Sequence, residues 1–252
     1  SYLAGLRPPP ILRAQMAEGP QVVVLAAGQG TRMRSATPKV LHQLGGRPLI
    51  DHVLDLAAAI SDRRPVVIVD PAQAAVVAHV AGSADTAPQP VAKGTGDAVR
   101  SVPVSLRTKG VVVVLSADVP LLGAATVRRL LEAHQRKRPA ATILAVIPSN
   151  PAGMGRVVRG DREKVLSIVE ERDIPSDMTV PPECNAGVYA FDGARLWPAL
   201  DRLSNANAQG EHYLTDVIAQ FGGDTDAVLA GDPDEAMGIN DRVQLAEAET
   251  VL

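Results

Sequence analysis

Short runs of apolar, mostly β-branched residues recur through the first half of the chain. They are Val22-Val23-Val24-Leu25, Val66-Val67-Ile68-Val69, Val111-Val112-Val113-Val114-Leu115 and the stretch 141–147. None alternates with polar residues, so each predicts a strand buried on both faces of a sheet. Between these runs the period changes. Leu49, Ile50, Val53, Leu54 and Leu56 fall at helical spacing, with Pro48 suited to the first helical turn. Residues 72–80, a short stretch after Gly94-Thr95-Gly96 and residues 126–138 also read as helices. Strands alternating with helices predict an α/β fold, a Rossmann-like and mostly parallel sheet layered by helices.

The second half changes character. Residues 156–159, 165–169 and 187–191 read as shorter strands, with Pro175, Pro181 and Pro182 in an intervening loop. They predict a smaller antiparallel extension beside the main sheet. Residues 196–203 and 213–221 read as helices, and 227–230 as a last strand. Residues 1–20, with Pro8-Pro9-Pro10 and no continuous apolar core of a secretory signal, are expected to be a tail. Residues 21–240 are expected to form one domain, because no repeat or low-complexity linker divides them, and 241–252 an exit helix.

Composition narrows the function. The net charge of -3 is spread over interspersed acids and bases, so nothing attracts a nucleic-acid backbone in bulk. Aromatic residues make up 2% of the chain, which removes the stacking platforms of single-strand binders. No apolar run approaches the roughly 20 residues of a membrane helix. The single cysteine, Cys184, cannot form an internal disulfide, which fits a reducing compartment. The expectation is a soluble, cytoplasmic protein with neither nucleic acid nor membrane as partner.

The chemistry starts where the first strand ends. Leu25, Ala26, Ala27, Gly28 and Gly30 are small or apolar and let backbone N–H groups approach a phosphate, while Arg32 and Lys39 supply positive charge for the same anion. This reads as a triphosphate loop. It is not a P-loop, since no Gly-x-x-x-x-Gly-Lys-Ser/Thr string occurs. Nor is it a dinucleotide fingerprint, because Met33 stands at the third glycine position. Asp118 follows the strand 111–115 directly and reads either as a cap of the next helix or as a carboxylate for Mg²⁺. Asn240, read alone, is as much a helix N-cap as a ligand. Glu170, read alone, is more often a solvated strand-end charge.

The string Leu25-Ala26-Ala27-Gly28-x-Gly30-Thr31-Arg32-Met33, followed by Pro38-Lys39-Val40-Leu41, resembles the signature of sugar-phosphate nucleotidyltransferases. Its nearest variant is the bacterial N-acetylglucosamine-1-phosphate uridyltransferase domain of GlmU-type bifunctional enzymes. Further strings agree in order along the chain: Gln89 with Gly94-Thr95-Gly96, Gly153-Met154-Gly155-Arg156, Ile168-Val169-Glu170, Asn185-Ala186-Gly187, Asn207 through Asp216, and Gly238-Ile239-Asn240. The resemblance implies the nucleotide-diphospho-sugar transferase fold. It also implies uridylyl transfer from UTP to N-acetylglucosamine 1-phosphate, yielding UDP-N-acetylglucosamine and pyrophosphate for cell-wall synthesis.

It further implies roles. Asp118 and Asn240 would hold Mg²⁺, and Gln89, Gly94 and Thr95 would read the base. Gly155, Glu170, Asn185 and Thr215 would contact the sugar. A glutamine amide suits the uracil edge, yet the same amide rotated would suit cytosine, so the residues themselves leave the base open. The same reaction on another base or sugar, or a nucleotide-binding domain without turnover, remains an alternative. The chain departs from the pattern at Asp97, where histidine is common, and at Lys93, Ala92, Ala117 and Met154. These bear on substrate fine-tuning; Ala117 in place of glycine also restricts how the backbone presents Asp118. In GlmU-type enzymes a left-handed β-helix of hexapeptide repeats follows, with acetyltransferase activity. No such repeat occurs in this sequence, so acetyl transfer is not expected of it.

Overall fold

The computed structural model describes residues 19–252, so most of the tail expected over residues 1–20 lies outside the described residues. The strands are β1 (Gln21–Leu25), β2 (Gln43–Leu44), β3 (Arg47–Pro48), β4 (Val66–Val69), β5 (Asp85–Pro88) and β6 (Val111–Ser116). Then come β7 (Ala141–Val146), β8 (Arg156–Arg159), β9 (Val165–Val169), β10 (Cys184–Asp192) and β11 (Thr225–Leu229). One nine-stranded sheet runs β11-β7-β10-β6-β1-β4-β5, with β8 pairing β10 and β9 pairing β8. β1 pairs in parallel with β4 and β6, β4 with β5, and β7 with β11. β10 is antiparallel to both β6 and β7, and β8 and β9 form the antiparallel extension.

The strands bury both faces. Val22 and Val24 point into one core layer with Ile50, Val53 and Leu130, whereas Val23 faces the opposite layer with Val99, Leu196 and Val217. Helices Leu49–Ile60 and Ala124–Lys137 thus cover one side, and Thr95–Arg100, Gly193–Asp201 and Asp216–Gln220 the other. This explains why the strands read as continuous apolar runs. Among the described residues, no helix is long and apolar enough to cross a membrane.

Some local expectations shift. Pro48 precedes the helix Leu49–Ile60 in extended conformation rather than starting its first turn, because it pairs with Gln43 in the β2–β3 ribbon. β10 begins at Cys184, before the expected residue 187; a register shift between Asn185 and Tyr189, with Gly187 at φ 73°, interrupts the pattern. β5 escapes the sequence pattern. The last helix, Arg242–Val251, folds back on the ribbon, where Glu249 accepts a hydrogen bond from the Gly45 amide at 2.9 Å.

Candidate active site

Because β1, β4, β5 and β6 are parallel, the loops after their carboxyl ends gather at one rim. The amino end of antiparallel β10 reaches that rim too, since Cys184 lies opposite Val146 at the end of β7. Two cavities open there, of about 640 and 230 Å³, and Ser116 and Asp118 line both.

Lys39 stands at their junction. Its Nζ donates to Asp118 Oδ2 at 2.5 Å and to Asn240 Oδ1 at 3.1 Å. The other Asp118 oxygen accepts from Ser116 Oγ at 2.6 Å. The Ile239 amide donates to the Asp118 carbonyl at 2.8 Å, which ties the Gly238-Ile239-Asn240 segment to the strand end. Asp118 caps no helix: the helix Ala124–Lys137 starts after Gly123. Nor does Asn240, because the Asp241 carboxylate caps the last helix by accepting from the Val243 and Gln244 amides. Ala117 is fully buried and its Cβ does not prevent Asp118 from reaching Lys39.

The donor set can be tested against a metal. A carboxylate oxygen and an amide oxygen converge on one positive centre, here the Lys39 ammonium, and their residues are half-buried at a cavity wall. Two hard oxygens with open space beside them fit a hard divalent cation that completes its shell with water and phosphate. Among the described residues no group of three or more His, Cys, Asp and Glu offers an alternative centre.

The smaller cavity collects the residues expected for the nucleotide: Leu25, Ala26, Ala27, Gly28, Gln89, Gly94 and Thr95. Gly30 does not line it. At φ 61°, its absent Cβ would lie 2.5 Å from Lys39 Cβ, so this glycine makes room for the lysine. Gly94 (φ 103°) is needed for a close approach, since a Cβ would fall 2.5 Å from the His212 carbonyl oxygen. The His212 amide donates to Lys93 O and its carbonyl accepts from the Gly96 amide, both at 2.8 Å. The Thr95 hydroxyl accepts from the Leu214 amide at 3.0 Å. Gln89 is buried at the end of β5, and its Nε2 donates to Gly94 O at 3.1 Å and Asp97 Oδ2 at 3.0 Å. Burial pushes the Asp97 carboxyl up. Hydrogen bonds from Gln89 and Arg100, with the charges of Arg100 and Lys93, outweigh that and hold it below the usual carboxylate range.

The larger cavity is lined by Gly155, Glu170 and Asn185, with Arg32 and Asn240 on its walls. Thr215 is buried behind it and donates to Glu170 Oε1 at 2.9 Å, so it holds the carboxylate in place. Glu170 is therefore no solvated strand-end charge. Burial pushes its carboxyl up; the Thr215 hydroxyl opposes the shift, and Asp216 and Asp173 add to it. A Cβ at Gly155 would sit 2.9 Å from Ile168 Cγ2 and 3.3 Å from Glu170 Oε2. Asn185 Nδ2 donates to the Tyr189 hydroxyl at 2.6 Å and its Oδ1 accepts from the Gly187 amide. Arg32 is exposed and makes no hydrogen bond or ion pair among the described residues.

Sequence reasoning missed Ser116 and Gln244. Gln244 accepts from the Asn240 amide at 2.7 Å and so fixes that loop. A serine ending an otherwise apolar strand, two residues before Asp118, was the available signal for the first. A glutamine in a helix carries none.

Comparison with known proteins identifies the family. Residues 22–221 match the family described as "MobA-like NTP transferase domain". Curated relatives include "Bifunctional protein GlmU" from Thermobifida fusca (strain YX), 46% identical over 242 residues, covering 92% of this chain and 50% of that protein. The protein of the same name from Heliobacterium modesticaldum is 45% identical over 237 residues, covering 91% and 51%. That from Corynebacterium diphtheriae is 43% identical over 242 residues, covering 92% and 50%. The chain thus spans about half the length of these relatives, and the resemblance drawn from its motifs is borne out. Nucleotidyltransferases of this kind generally use a divalent metal.

Proposed function

The chain belongs to the MobA-like NTP transferase family, and on that premise we propose that it transfers a uridylyl group from UTP to N-acetylglucosamine 1-phosphate. The products are UDP-N-acetylglucosamine and pyrophosphate. The observation that carries this reading is the meeting of Lys39, Asp118 and Asn240 where the two cavities join. A triphosphate in the smaller cavity and a sugar phosphate in the larger one would face each other across that point.

The reaction forms a bond between a sugar-phosphate oxygen and the α-phosphorus; the bond to the β-phosphate oxygen breaks, and pyrophosphate leaves with the electron pair. The nucleophile is already an anion, so no side chain has to remove a proton. Positioning and charge neutralisation are the remaining tasks. Gln89, Gly94 and Thr95 hold the base end, while the backbone from Leu25 to Gly28, with Gly30 behind it, shapes the phosphate loop. Arg32, with no competing partner among the described residues, meets the β/γ end, and Lys39 turns from Asp118 to the incoming anion. Gly155, Glu170 and Asn185 receive the sugar, with Thr215 steadying Glu170. Mg²⁺, held by Asp118 and Asn240, would supply further neutralisation of phosphate charge. The cytoplasm is the proposed compartment.

A pyrophosphate-release assay across nucleoside triphosphates and sugar 1-phosphates tests the proposal. Release that is fastest with UTP and N-acetylglucosamine 1-phosphate is expected. Tight UTP binding with no release for any sugar phosphate would overturn it in favour of a non-catalytic nucleotide-binding domain. A clear preference for another base or sugar would reassign the substrates.

A further inference from the structure

We propose that Asp97 is a specificity-positioning residue: it locks the Gln89 amide with Oε1 toward the nucleotide cavity, so that the site demands a base whose ring nitrogen N3 carries a proton. Uracil presents that donor at N3; cytosine presents an acceptor there. The inference rests on the proposed function in taking the smaller cavity as the base site.

The two ends of a glutamine amide have nearly the same shape, so the neighbours decide which end points where. Gln89 Nε2 faces two oxygens that can only accept, the Gly94 carbonyl and the Asp97 carboxylate. Reversing the amide would set Oε1 against both. Asp97 is itself fixed, because its Oδ1 accepts from Arg100 Nη2 at 2.6 Å. Arg100 belongs to the same short helix, and its carbonyl accepts from Arg107 Nη2 at 2.7 Å. Gln89 is 6% exposed, so water competes little, and its own amide is anchored to Val69 O at 2.8 Å. Among the described residues nothing donates to Oε1, and Gln89 lies on the cavity wall beside Gly94. The free end of the amide is therefore the acceptor.

Substitution separates this role from simple support. In Asp97→Asn, Arg100 retains the side-chain oxygen and the new Nδ2 turns to Gln89, a donor against a donor. Gly94 O then favours one orientation of the Gln89 amide and the substituted side chain the other. In Asp97→Ala only Gly94 O remains, so part of the preference survives. Both variants are tested for kcat/KM with UTP and CTP, and by titration calorimetry with UDP and CDP. The expected uracil-over-cytosine preference falls in the order wild type, Asp97→Ala, Asp97→Asn, and by at least about tenfold in the last, the scale of exchanging a charged for a neutral hydrogen-bond partner. Equal losses for both bases in both variants, or an unchanged ratio, would overturn the inference. Should the wild type bind UDP yet release no pyrophosphate, the reaction is refuted while the UDP/CDP ratio still decides the role of Asp97. Failure to bind either diphosphate refutes both. Asp97→Ala alone, against wild type, decides the matter if Asp97→Asn does not fold.

Discussion

The Lys39 ammonium lies 2.5 Å from Oδ2 of Asp118, two residues separated by 79 positions in sequence, and the pair is largely withdrawn from solvent, with side chains 11% and 20% exposed. Asn240, 201 positions from Lys39, completes the trio at 3.1 Å. A lysine and a carboxylate held this way at a cavity junction keep charge ready for anions without leaving either group unpaired.

Removing either partner should lower turnover strongly while the chain still folds. Lys39→Ala and Asp118→Ala are each expected to lower kcat about a hundredfold or more, roughly 3–4 kcal/mol in barrier. Steady-state kinetics beside circular dichroism checks this. Near-normal turnover in a variant would remove that residue from the mechanism.

The same pair predicts competition. An ammonium on Asp118 and Asn240 must be displaced before a divalent cation binds them, so Lys39→Met should bind Mn²⁺ more tightly than wild type in the absence of nucleotide. Titration followed by electron paramagnetic resonance reads this directly. Weaker binding in the variant would mean that the two oxygens are not the shared site.

Gly30→Ala places a methyl group 2.5 Å from Lys39 Cβ, in a left-handed conformation. The backbone strain costs about 1–2 kcal/mol, and the clash moves Lys39. A modest drop in melting temperature with a loss of kcat approaching that of Lys39→Ala is expected. Unchanged kcat would show that Lys39 does not depend on this contact.

Much of this architecture was legible because strands buried on both faces must be apolar throughout, as in β1, β4, β6 and β7. β5 was not, since of Asp85, Thr86, Ala87 and Pro88 only Ala87 is fully buried and the strand exists through its pairing with β4. The site residues were visible as motifs, but their mutual roles were not. That Asp241 rather than Asn240 caps the last helix depends on a one-residue difference in backbone position. That Thr215 supports Glu170, and that Asp97 faces Gln89, depends on tertiary contacts that no local spacing encodes.

Glu170 gives a pH prediction. Burial raises its folded pKa above the ordinary value of 4.5, so the folded state binds the proton more tightly than the unfolded chain does. Its contribution to stability is present below that ordinary value and is lost as pH rises through the raised folded value. Glu170→Gln, which can still accept from Thr215, should melt higher than wild type at neutral pH, and the gain should vanish in acid. Its affinity for the sugar phosphate should fall at the same time. Thermal scans from acid to neutral pH check the sign; a lower melting temperature at neutral pH would contradict it.

The most direct measurement of the central claim is a crystal structure with UDP-N-acetylglucosamine and Mg²⁺. The account predicts the uracil beside Gln89, the sugar beside Glu170 and Asn185, one ion ligated by oxygens of both Asp118 and Asn240, and Lys39 released onto a phosphate oxygen. An ion bound away from both residues, with Lys39 still paired to Asp118 and the diphosphate outside the rim, would contradict it.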